Sequence, residues 1–111
     1  MGVILRISLL KRREDLTHAQ FIEHWKGPHA EIVKRLPGVK GIQLIDIVAT
    51  EMGELWDGLG IVLFDSIEAA RAAFSDPRLR DMLVADRALF VRDVEVFYGE
   101  ITASIDWKQP S

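Results

Sequence analysis

A proline inside an apolar stripe sets the strongest limit on what this chain can build. From Leu16 to Gly38 the sequence LTHAQFIEHWKGPHAEIVKRLPG has the pattern of one long amphipathic helix, interrupted at Gly27-Pro28. Thr17 is the candidate N-cap, and Gln20 stands three residues later, where a capping box needs it. Phe21, Ile22, Trp25, Ile32, Val33 and Leu36 share one side of a helical wheel. A stripe of that kind requires a sheet or another helix to cover it. Pro28 lacks a backbone donor and disfavours helical geometry at Gly27, so a kink or break is expected there. Leu36-Pro37-Gly38 then ends the helix.

His29 falls at the centre of the stripe, between Trp25 and Ile32. A titratable group on an apolar face is either a core histidine bonded to some backbone carbonyl or a catalytic or ligand-binding group at the floor of a pocket. His24 lies off the stripe and reads as a solvated or rim residue, and His18 as an exposed residue of the first turn. Histidines at 18, 24 and 29 form no i, i+4 pair, Glu23 and Glu31 point away from the stripe, and there is no cysteine. No metal is expected.

The remaining elements can be placed by period and punctuation. Val3–Leu10 is a strand with Val3, Leu5, Ile7 and Leu9 on one face, while Arg6 and Ser8 share the other with Ile4 and Leu10. Lys11-Arg12-Arg13, followed at once by Glu14-Asp15, is a solvated turn. Val39–Thr50 is a second strand, Glu51–Gly58 a turn-rich stretch ending in an Asp57-Gly58 hairpin signal, and Gly60–Phe64 a third strand. Asp65 or Ser66 caps a helix with Ile67, Ala70, Ala73 and Phe74 inward. Asp76 as cap and Pro77 at the first helical position restart it. Leu79, Met82, Leu83 and Phe90 share the face of this second piece, with Asp86 at its centre. Val91–Tyr98 is the fourth strand, and residues 100–111 form a tail carrying Trp107.

The order β-α-β-β-α-β in 111 residues describes a single α+β domain spanning residues 1–111. It is the ferredoxin-like arrangement, a four-stranded antiparallel sheet with two helices on one face. The strands are apolar on both faces, for example at Ile4, Leu10, Ile45, Ile47, Val62, Phe64 and Phe97. An uncovered face of that character predicts a homodimer packed sheet to sheet as a dimeric α+β barrel. With a net charge of −3, the chain has no electrostatic footprint for nucleic acid. Its N-terminal apolar run is too short for a membrane span or a signal peptide, and the lack of cysteine fits a reducing cytoplasm. No Rossmann glycine fingerprint occurs, so no nucleotide cofactor is expected.

His29 and Asp86 each stand at the centre of a stripe facing the same side of one sheet, which predicts that they meet. A carboxylate on one imidazole nitrogen sets the tautomer and raises the basicity of the other, as a general base near neutral pH requires. The plainer alternative is a buried, mutually satisfied pair with no chemistry. Phe21, Trp25, Met82 and Phe90 are the expected apolar lining of the site, where a substrate would bind.

Several short patterns in this order are similar to those of EthD-like proteins. They are Leu16-Thr17-x-x-Gln20-Phe21-x-x-His24-Trp25-x-x-x-His29-Ala30, then Leu36-Pro37-Gly38, Phe64-Asp65-Ser66-Ile67-Glu68-Ala69 and Asp86-x-x-x-Phe90. The resemblance runs from about Leu5 to Phe97 and departs at Gly41-Ile42, where many relatives carry an aromatic residue. It implies a dimeric α+β barrel with His29, Trp25, Asp86 and Phe90 at pocket positions, and no cofactor. The member that names the family accompanies a cytochrome P450 system that degrades ethyl tert-butyl ether. Other dimeric α+β barrels isomerise muconolactones, cyclise or dehydrate polyketide chains, or oxidise aromatics without a metal. The resemblance thus implies a small hydrophobic or aromatic ligand and cofactor-free acid–base chemistry of isomerase, cyclase or lyase type in a catabolic or polyketide-type pathway. A non-catalytic accessory binder and a cofactor-free monooxygenase are the alternatives.

Overall fold

The computed structural model describes residues 2–105. Trp107 and the end of the tail lie outside that range. Strand β1 (Ile4–Arg12) leads into a continuous helical segment made of α1 (His18–His24), a π-helical turn (Trp25–His29) and α2 (Ala30–Val33). Strands β2 (Gly41–Asp46) and β3 (Gly58–Phe64), helices α3 (Ile67–Phe74) and α4 (Arg80–Ala88), and strand β4 (Val91–Gly99) follow. The four strands form one antiparallel sheet in the order β2-β3-β1-β4, the ferredoxin-like arrangement expected.

The capping box at the start of α1 is complete. Thr17 Oγ1 accepts from the Gln20 backbone N–H at 3.1 Å, and Gln20 Oε1 accepts from the Thr17 N–H at 2.8 Å. Pro28 does not break the helix. The chain stays in right-handed helical geometry through Ala30, and the turn widens so that the Ala30 N–H reaches the Trp25 carbonyl five residues back. The wider turn absorbs the donor that Pro28 lacks. Other boundaries shift as well. Strand β1 runs two residues further than expected, β2 is shorter than Val39–Thr50, and α4 begins at Arg80, after a turn bonded to Asp76.

Directly paired residues of neighbouring strands share a face of the sheet. Ile4, Arg6, Ser8 and Leu10 therefore lie on the same side as Phe64, Val62, Gly60 and Gly58. That side is covered by the helices, because Val62 and Phe64 pack with Val33, Leu36, Ala70, Ala73 and Leu83 in one core cluster. A second cluster, Leu10, Phe21, Trp25 and Phe90, closes the other end. The opposite side of the sheet carries Leu5, Ile7, Leu9, Ile45, Leu59, Ile61, Leu63 and Phe97, with no helix over it. The uncovered apolar face exists, but its membership corrects the sequence expectation. Ile4, Leu10, Val62 and Phe64 belong beneath the helices, and the open face is built by the alternate residues of the same strands.

Candidate active site between the helices and the sheet

The two core clusters leave a gap between them. It is a cavity of about 190 Å³, floored by the sheet at Ser8, Gly60, Val62 and Val96 and walled by Trp25, His29, Val33, Leu83 and Arg87 from the helices. Trp25 can lie flat over the floor because Gly58 and Gly60 offer no side chains. A Cβ built at Gly58 would stand 2.7 Å from Trp25 Cη2, and one at Gly60 would stand 3.2 Å from Cζ2. The glycines thus set the depth at which the indole borders the cavity.

Behind His29 stands Asp86. Its Oδ2 lies 2.8 Å from His29 Nδ1, and its Oδ1 lies 2.9 Å from His24 Nε2. An ionised carboxylate only accepts hydrogen bonds, so both of these ring nitrogens donate. In the neutral His29 ring the proton therefore sits on Nδ1, and Nε2 keeps its lone pair. Nε2 has no protein partner among the described residues and is not sealed from solvent, since no buried side-chain nitrogen or oxygen there is left without one. Burial pushes the His29 pKa below its usual value, and the hydrogen bond and charge of Asp86 offset only part of that effect. His29 is therefore a neutral base at pH 7.

Both imidazoles pack on Phe90 in tilted arrangements, with ring centroids 4.7 Å from His24 and 5.0 Å from His29. Phe90 packs in turn on Phe21 at 5.4 Å. The π-helical turn is what brings the two histidines together. In a regular α-helix, residues five apart differ by roughly 140° around the axis. A turn closed by i→i+5 bonds lowers the twist per residue and returns His29 to the side of His24.

The expected site residues separate into three groups. His29 and Trp25 border the cavity, and Asp86 touches it through His29. Phe21 and Phe90, at 0% and 1% exposure, support the histidines from inside the core and are not surfaces a ligand touches. Met82 is corrected outright: it is 42% exposed on α4 and takes no part in the cavity, because the inward stripe of that helix runs through Leu79, Leu83 and Arg87.

Sequence reasoning missed His24, whose place beside Asp86 was visible only by reading Gly27-Pro28 as a widened turn. It also missed Arg6, Arg80 and Arg87 on the cavity wall. The apolar alternation of β1 put Arg6 on a definite face, but nothing local told which face the helices cover. His18 is a further correction. It is half-exposed, and it bridges Asp57 through Nδ1 and Asp46 through Nε2, each at 2.7 Å. Among the described residues no group of three or more histidine, aspartate or glutamate side chains is arranged to hold a metal ion.

No curated protein matches the sequence. Among solved structures, an ethyl tert-butyl ether D (EthD) family protein from Bacillus halodurans superposes with a TM-score of 0.73. It is 25% identical, and the match covers 92% of this chain and 100% of that one. A dimeric protein with a ferredoxin-like fold from Bacteroides fragilis has a TM-score of 0.67 at 15% identity over 91% and 98% of the two chains. A hydroxynitrile lyase from Passiflora edulis has a TM-score of 0.74 at 10% identity over 94% and 97%. The last two show the fold alone. The sequence model of the EthD domain matches residues 13–93, which span Thr17, His24, Trp25, His29, Asp86 and Phe90. The chain belongs to the EthD domain family.

Proposed function

We propose that this protein is a homodimeric acid–base catalyst that works without a cofactor on a small hydrophobic or aromatic compound held between the helices and the sheet. One observation carries the reading: His29 borders the cavity with Nδ1 held by Asp86 and with Nε2 free. Substrate binds against Trp25, Val33, Val62 and Leu83, and an acidic C–H or O–H faces Nε2. Nε2 takes the proton as charge develops on the substrate. The resulting imidazolium is stabilised by Asp86, which also fixes the ring orientation, and it returns the proton elsewhere on the product. Such a cycle serves an isomerisation, a cyclisation or an elimination. His24 shares the carboxylate and holds it in line, while Phe90 holds both rings.

The dimer is supported by the open apolar sheet face and by the dimeric ferredoxin-like protein of the same fold. Its two cavities lie on the outer, helix-covered sides, so each site is complete within one chain.

A generic reporter of a base beside an apolar cavity tests the reading without knowledge of the natural substrate. In 5-nitrobenzisoxazole, removal of the C3 proton breaks the N–O bond and releases a coloured nitrophenolate. The wild-type protein is expected to catalyse this saturably, and His29→Ala to lower the rate about 10²–10⁴-fold with folding retained. Equal rates for wild type and His29→Ala would overturn the catalytic assignment. Binding without turnover would leave an accessory ligand-binding protein.

A further inference from the structure

The polar groups on the cavity wall have a one-sided charge. Arg6, Arg80 and Arg87 all border it, and among the described residues no aspartate or glutamate does, although the chain as a whole has 17 acidic residues against 14 basic ones. Among the described residues none of the three arginines makes an ion pair or a side-chain hydrogen bond to a carboxylate, whereas Arg12, Arg13, Arg78 and Arg92 each sit on an acid.

Arg6 is the least ordinary of the three. It stands in the middle of β1 on the helix-covered side, half-buried, with its guanidinium carbon 3.7 Å from the centroid of the Phe74 ring. The ring supports one flat side of the cation and leaves its N–H donors to partners in the guanidinium plane, of which the Tyr98 hydroxyl is one. Its cross-strand neighbour Tyr98 offers a phenol and no carboxylate. Burial pushes the Arg6 pKa down, the Tyr98 phenol offsets part of that, and the nearby Arg87 adds a smaller lowering, as two cations facing one gap must. A half-buried guanidinium with a phenol and an aromatic ring but no carboxylate beside it among the described residues has its desolvation cost only partly offset. Arg87 lies close enough to act on both Arg6 and His29, so the cationic end and the basic end belong to the same space.

We propose that Arg6 and Arg87 form a carboxylate subsite, so that the ligand of this cavity is an apolar or aromatic carboxylic acid bound as its anion. The carboxylate takes the fork of Arg6 and is approached by Arg87 from α4, with Arg80 at the rim. The apolar body lies over Val62 and Leu83 toward Trp25. This orients the acid so that a carbon beyond the carboxylate comes to His29. The cavity volume of about 190 Å³ falls below the roughly 300–1,000 Å³ typical of drug-sized ligands, which limits the body to one or two rings. The inference rests on the reading of this cavity as the ligand site, but not on His29 being a base.

The test is calorimetric titration of the full chain at pH 7.5 with 2-naphthoate and with its neutral isostere 2-naphthamide. The acid is expected to bind at least about 10-fold tighter than the amide. Arg87→Gln, at a cavity-lining residue of α4 that solvent also reaches, and Arg6→Gln are each expected to weaken naphthoate roughly 10–100-fold while changing the amide little. Arg13→Gln, outside the cavity, should change neither. Should Arg6→Gln fail to fold, Arg87→Gln alone decides. Equal affinity for acid and amide, a preference that survives Arg87→Gln, or no binding of either compound overturns the subsite. His29→Ala separates the two proposals. If it abolishes turnover of 5-nitrobenzisoxazole while no acid preference exists, the catalytic reading stands and the carboxylate subsite falls. If the acid preference is intact but His29→Ala changes no rate, the reverse holds.

Discussion

At the scale of single residues, two histidines respond to pH in opposite directions. His29 has its pKa lowered from 6.5 by burial, so the folded chain binds the proton less readily than the unfolded one. Its contribution to stability is complete above about pH 6.5 and is lost as pH falls below that value. Turnover by His29 should follow the same direction, with kcat/KM flat at pH 7 and above and falling in acid with an apparent pKa under 6.5. A rise in kcat/KM that began only above pH 7 would contradict the assignment. His18 is the mirror case, since hydrogen bonds to Asp57 and Asp46 raise its pKa. Its stabilising effect is present below about pH 6.5 and is lost as pH rises through the raised value. His18→Gln should therefore lower the melting temperature more at pH 6 than at pH 8.5, and an equal loss at both would remove the bridge from the account. Asp86→Asn keeps the shape at the centre of the site but gives the two rings a weaker partner. It should lower turnover less than His29→Ala does, and cost about 1–3 kcal/mol of stability for the imperfectly paired groups.

At the scale of elements, the sheet and the interrupted helix meet at a pair of glycines. Gly58→Ala would drive a methyl into the Trp25 indole, held from above by helix and from below by strand. Overpacking of this kind costs roughly 1–3 kcal/mol and should appear as a lower urea midpoint with an unchanged slope. Gly27→Ala is the opposite case. A Cβ there meets nothing within 4 Å outside its own chain neighbours and helix backbone, so the substitution should cost less than Gly58→Ala, its cost coming only from a Cβ set before Pro28 in helical geometry. If both glycines tolerate alanine equally, the close approach of Trp25 is not what holds the cavity open. The stripe from Phe21 to Leu36 and its capping box were legible in the sequence because each is a local signal with one physical meaning, whereas the helix itself ends at Val33, ahead of Leu36-Pro37-Gly38, which lies in the turns that follow. The π-helical turn was not legible, because a proline inside a helical pattern fits a break, a kink or a widened turn, and only the packing of His24 and His29 on Phe90 selects among them. Met82 failed for a related reason: a wheel drawn through α4 places it beside Leu83, but the helix turns Leu83 and Arg87 toward the sheet and leaves Met82 in solvent.

For the whole molecule, strand order and the layering of helices on one side followed from the alternation of periods along the chain. Which strand residues face the helices did not. Strands apolar on both faces fit either register, and Arg6 beneath the helices is the residue least expected there from polarity alone. The open face has a definite membership, and the dimer test follows from it. Ile61→Lys or Ile45→Lys, on the open face, should dissociate or precipitate the protein, since an unpaired charge in a closed interface costs several kcal/mol. Val62→Lys should instead act on the folded chain itself, from within the core and the cavity floor. Sedimentation of the wild-type protein at micromolar concentration should show twice the 12.6 kDa chain mass. A soluble wild-type monomer would sink the barrel.

The protonation state of His29 tests the centre of the account most directly, and it needs no substrate. Nitrogen-15 spectra of histidine-labelled protein, recorded from pH 5 to pH 8, give both the tautomer and the pKa of each ring. The geometry at Asp86 predicts that neutral His29 carries its proton on Nδ1, titrates below pH 6.5, and loses its tautomer preference in Asp86→Asn. A proton on Nε2 at pH 8, or titration above pH 6.5, would mean that His29 Nε2 is not the base.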